Sequence, residues 1–137
     1  MFTSKNNVAR RKLLVTGIAD VGAAFLCWAF SAIYIACGHG KTSGAMVCLL
    51  VPFFLSGMLM IILSFTRLYE RVNIAARCLW NFSMASVTVG MALVGIFEIA
   101  GVPKSSFLIP IFAGGAIFAL CSIAIVIFNK KKSLEEI

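Results

Sequence analysis

The chain of 137 residues holds a single histidine, His39, and five cysteines (Cys27, Cys37, Cys48, Cys78 and Cys121) with no Cys-x-x-C pair among them. One histidine excludes bis-histidine haem ligation and a multi-histidine metal centre within one chain. The missing Cys-x-x-C excludes a thiol-disulfide oxidoreductase, and dispersed cysteines serve as small apolar filler. Only Cys37 and Cys48 fall near one membrane surface, where a bridge is sterically conceivable. Acidic residues are scarce as well, five against twelve Lys and Arg. Isolated acids and one loop histidine assemble no Ser-His pair, carboxylate pair or metal constellation, so the chain is read as a non-enzyme with no cofactor and no metal. Gly40-Lys41-Thr42 has the form of the end of a phosphate loop, but the position for its first glycine is Ile35, and no strand precedes it.

Polar surface is also short. With 61% hydrophobic residues and a mean hydropathy of +1.03, too little remains to dissolve a globule of this size. The apolar residues are concentrated in four stretches over residues 13–37, 45–66, 78–100 and 106–128, each 22 to 25 residues long. A hydrocarbon core about 30 Å thick needs about 20 helical residues, so each stretch is long enough to cross. None has the strict alternation of a barrel strand, and in hydrocarbon only a helix satisfies its own backbone polar groups.

Charge sets the expected orientation. Lys5, Arg10, Arg11 and Lys12 precede the first stretch, Arg67, Arg71 and Arg77 lie in the second link, and Lys130, Lys131 and Lys132 follow the last stretch. The first and third links carry only Lys41 and Lys104. Retention of positive charge in the cytoplasm puts both termini and the middle link inside. The expectation is therefore one all-α integral membrane domain over residues 1–137: four transmembrane helices in an up-down antiparallel bundle, N-in and C-in. A basic segment (1–12) and a tail (129–137) would lie in the cytoplasm. The expected location is a plasma membrane or a bacterial inner membrane. The first stretch exceeds a signal-peptide core and is expected to stay as an anchor. The basic residues flank apolar spans without aromatic interleaving, which argues against nucleic acid and for anionic lipid at the inner face.

Asp20 is the residue that most needs a partner. Eight residues beyond Lys12 it lies about 12 Å into the helix, where an ionised carboxylate costs about 2.5–3.5 kcal/mol. Thr16, Ala23, Cys27, Ser31 and Tyr34 share its helical stripe, and Asn73, Arg77, Asn81, Met84, Thr88 and Gly95 form a similar stripe on the third span. The two stripes are expected to meet. That would pair Asp20 with Arg77, or hydrogen-bond it to Asn81, Thr88 or, on the fourth span, Ser122. Glu98 and Lys104 are expected at the outer interface. Small-residue pairs Ala19/Ala23, Ala32/Ala36, Ser86/Gly90 and Gly115/Ala119 are candidate helix-packing faces.

Two functional classes fit this inventory. Negligible extramembrane mass and many small-residue faces point to a subunit or accessory factor that binds other transmembrane helices or a second copy of itself. The alternative is a small oligomeric transporter or channel, with Asp20 as a proton, cation or amine site.

Overall fold

The computed structural model describes residues 2–37, 42–66, 72–102 and 108–135, with side chains described within 7–128. All regular structure there is helical: α1 (Phe2–Cys37), α2 (Gly44–Val47), a 3-10 turn (Cys48–Leu50), α3 (Val51–Phe65), α4 (Ile74–Ala100) and α5 (Leu108–Glu135). Four segments are long and apolar enough to cross a membrane, the second being Gly44–Phe65 with its internal turn. The described part of the protein is thus an all-helical, multi-pass membrane protein by length and composition.

Helix α1 outruns its apolar stretch by eleven residues at its N-terminal end. At 36 residues α1 is about 54 Å long, well beyond a bilayer core. Residues 2–12 contain neither Gly nor Pro, and extending a formed helix costs far less than starting one.

The second span breaks where Pro52 demands it. A helical proline clashes with the carbonyl four residues back, which here belongs to Cys48. The chain tightens at that point into the 3-10 turn, and the Val51 N–H donates to the Cys48 carbonyl instead. Pro52 then occupies the first turn of α3, where its missing N–H is harmless.

Helix ends carry recognisable stops. Gly101 adopts a left-handed φ of 71°, its N–H donates to the Glu98 carbonyl at 3.3 Å, and the Val102 N–H reaches the Phe97 carbonyl at 3.0 Å. That pair of bonds is a Schellman cap on α4. At the other end of α4, Asn73 is extended and its side chain accepts from the Ile74 N–H.

Packing is pairwise. Helix α1 lies along α3, α4 lies along α5, and α4 joins the two pairs through α2, the 3-10 turn and α3. Among the described residues no close backbone approach links α1 to α4, or α5 to any helix but α4. The buried stripe of α1 runs Leu13, Gly17, Asp20, Ala24 and Ser31. Of the small-residue pairs, Ala19, Ala32 and Ala36 are exposed, whereas Gly90 and Gly115 are buried at the α4–α5 contact. The five cysteines are free thiols.

Candidate functional site

The α1–α3 contact is built on two glycines. A Cβ on Gly17 would come within 2.9 Å of the Gly57 carbonyl oxygen, and one on Gly57 within 2.8 Å of the Gly17 carbonyl oxygen. Two backbones can approach this closely only where neither carries a side chain. That approach places the neighbours of each glycine against the opposite helix. Ser56, beside Gly57, faces Asp20, three residues beyond Gly17.

Asp20 is only 6% exposed, and the Ser56 hydroxyl donates to its Oδ2 at 2.8 Å. The Trp80 Nε1–H of α4 in turn donates to Ser56 Oγ at 2.9 Å. Three spans therefore meet in one chain of hydrogen bonds from Trp80 through Ser56 to Asp20. The serine hydroxyl is both donor and acceptor and so can occupy the middle position. Between membrane helices such links contribute about 0.6 kcal/mol on average, up to about 1.7.

This geometry departs from the seam expected between the first and third spans. Asp20 turns to Ser56 on the second span, because the paired glycines bring α3, not α4, within reach. Thr16 bonds the Lys12 carbonyl and Thr88 the Met84 carbonyl, each inside its own helix at i−4. Ser122 donates to the Ala76 carbonyl at 2.8 Å and belongs to the α4–α5 contact. Arg77 and Asn81 do face α1, but across a groove that also takes in Thr16, Arg11 and Lys12. Among the described residues, Arg77 Nε and Asn81 Oδ1 are the buried side-chain atoms without hydrogen-bond partners. A buried donor or acceptor left unmade costs about 1–3 kcal/mol, so the groove calls for an explanation.

Near the other end of α4, the Ser43 hydroxyl donates to Glu98 Oε2 while its Oγ accepts from the Met46 N–H as the N-cap of α2. Glu98 thus secures the start of the second span. Lys104, its expected neighbour, lies outside the described residues, as do His39, Lys41, Arg67 and Arg71.

No family model matches the chain, and neither curated proteins nor solved structures give a match. Among the described residues no group of three or more His, Cys, Asp or Glu is placed to hold a metal.

A second array of serines joins the helices, and of its members Ser83 belongs to none of the expected stripes or packing pairs, whereas Ser31 and Ser86 do. Ser83 donates to the Gly115 carbonyl at 2.7 Å, Ser86 to the Ile111 carbonyl at 2.8 Å, and Ser31 to the Met46 carbonyl at 2.6 Å. A spacing signal was available: Ala76, Ser83 and Gly90, and likewise Leu108, Gly115 and Ser122, recur every seven residues and are all buried. A seven-residue repeat of small residues keeps one face against one partner helix. Ala76 meets Ser122 and Ser83 meets Gly115 in an antiparallel register.

Proposed function

We propose that the protein is a small multi-pass membrane protein that acts as a subunit or interaction factor of a membrane complex. Its four spans form an up-down antiparallel bundle with both termini cytoplasmic, in a plasma or bacterial inner membrane. Its working contacts are with other transmembrane helices or a second copy of itself. The observation that carries this reading is the closure of Asp20 by Ser56 and Trp80. The intramembrane acid is used to tie three of the protein's own helices together, which is how a scaffold spends a polar residue. Lateral faces support the same reading: Phe25 and Trp28 of α1 and Phe54 of α3 are exposed beside Ala24 and Leu50, around a shallow apolar hollow of about 200 Å³. Exposed aromatics around a hollow suit contact with another helix or with lipid chains.

Two experiments test it. A photo-crosslinking residue at Trp28 is expected to trap a discrete membrane partner in intact cells, where the same residue at Ile117 of α5 traps lipid only; equal, lipid-only labelling at both sites refutes the interaction role. For the acid, purified protein in liposomes is expected to pass neither protons nor cations. Flux in the wild type that Asp20→Asn abolishes while still folding would establish the transport alternative. Orientation is checked separately: alkaline phosphatase fused after Lys104 is expected to be active and after Arg71 inactive.

A further inference from the structure

Among the described residues, the groove between α1 and α4 is where charged side chains and unsatisfied buried polar atoms converge without an internal partner. It is an open groove of about 590 Å³, within the range of about 300–1,000 Å³ typical of small-ligand sites. Arg11, Lys12 and Arg77 give its lining three positive charges, with Thr16 and Asn81 as neutral polar groups. The rest of the lining includes Val8, Val15 and Ile74, all exposed. Among the described residues no carboxylate pairs with Arg11, Lys12 or Arg77, and Asp20, one turn beyond Thr16, is engaged by Ser56. The groove also straddles the level at which both helices pass from basic residues to apolar ones, between Lys12 and Leu13 on α1 and around Arg77 and Cys78 on α4.

We infer that this groove is a binding site for the headgroup of one anionic phospholipid, held by Arg77 with Arg11 and Lys12. A guanidinium is the side chain whose geometry suits a phosphate, Arg77 lines the groove, and a turn of its side chain brings the buried, unpartnered Nε–H to the same phosphodiester. A headgroup hydroxyl, as on phosphatidylglycerol, suits the Asn81 amide that lines the same groove. The acyl chains leave along Val15 and the apolar flanks, which a free anion would leave uncovered. Basic pockets between transmembrane helices at this level recognise such headgroups on these grounds. The site rests on the reading of the chain as membrane-spanning and is independent of which protein it contacts.

The test is native mass spectrometry of the full chain in mild detergent with equal phosphatidylglycerol and phosphatidylcholine. One phosphatidylglycerol retained per chain is expected, and Arg77→Gln is expected to weaken it about tenfold, the loss of a charge-assisted hydrogen bond. Arg10→Gln removes the same charge from outside the groove, where Arg10 stacks over Phe65 at 5.2 Å, and is expected to change retention by about threefold or less. Val15→Trp fills the groove without altering charge and is expected to lose the lipid as Arg77→Gln does, which covers the case of a misfolded Arg77 variant. Equal losses in the Arg77 and Arg10 variants, no preference over phosphatidylcholine, or displacement of the lipid by inorganic phosphate would each overturn the site. Partner crosslinking from Trp28 unchanged in the same variants separates that failure from failure of the interaction role.

Discussion

Alanine at Gly57 puts the α1–α3 contact to a direct test. Its Cβ would stand 2.6 Å from Val21 Cγ2, 2.8 Å from the Gly17 carbonyl oxygen and 3.0 Å from the Val21 nitrogen. Ordinary carbon contacts begin near 3.5 Å, so the helices must part by roughly 0.5–1 Å, and two of the three obstacles are backbone atoms that no rotamer change can move. Overpacking of this kind costs about 1–3 kcal/mol. Parting the helices also stretches the Ser56–Asp20 bond, adding about 0.6 kcal/mol. Against this stands the better helix propensity of alanine, worth about 0.8–1.0 kcal/mol in an exposed helix interior.

The propensity gain can be measured separately at Gly22 and Gly114, where an added Cβ meets nothing within 4 Å. Thermal or denaturant unfolding in detergent is therefore expected to place Gly57→Ala about 1.5–3.5 kcal/mol below Gly22→Ala and Gly114→Ala. Gly17→Ala, whose Cβ would lie 2.8 Å from Ile61 Cγ1 and 2.9 Å from the Gly57 carbonyl oxygen, is expected to behave as Gly57→Ala does. The two costs are expected to be less than additive, because one separation of the helices relieves both clashes. Alanine variants at all four glycines with equal stability would refute close backbone contact as what positions Asp20.

Two further outcomes follow from particular bonds. Trp80→Phe keeps an aromatic ring but removes the pyrrole half of the indole with its donor to Ser56; it is expected to cost at least about 0.6–1.7 kcal/mol in the same unfolding assay, lost packing adding to the lost bond, and a neutral result would mean that the three-span hydrogen-bond chain contributes nothing. Ser43→Ala removes the N-cap of α2 and the donor to Glu98, so amide exchange at Met46 and Val47 is expected to rise by a factor corresponding to about 1 kcal/mol, with the α4–α5 contact unaffected.

Much of the architecture was legible in the sequence because the bilayer imposes a one-dimensional rule. Length and apolarity alone identify a helix able to cross, and the four expected stretches correspond to four such helices with ends that differ by at most six residues. Asp20 could also be singled out from the sequence, since an acid eight residues past the last basic anchor has no solvent to face. Its partner could not. Serine and glycine at positions 56 and 57 look like ordinary span residues, and the expected seam with Arg77, Asn81 and Thr88 rested on polarity and helical spacing. Which polar groups meet depends on which backbones can touch, and that was decided by Gly17 opposite Gly57. The α4–α5 register was in principle readable from the seven-residue recurrence of Ala76, Ser83 and Gly90, but a repeat of small residues does not name the helix it packs on.

Spans, their lengths and their charge asymmetry were therefore fixed by local composition against a solvent of known thickness. Helix pairing, the closure of Asp20 by Ser56 and Trp80, and the unsatisfied groove beside Arg77 were decided only in three dimensions. In lipid, apolar faces are nearly interchangeable partners, so pairing turns on sub-ångström backbone fit and a few hydrogen bonds, neither of which a hydropathy pattern records.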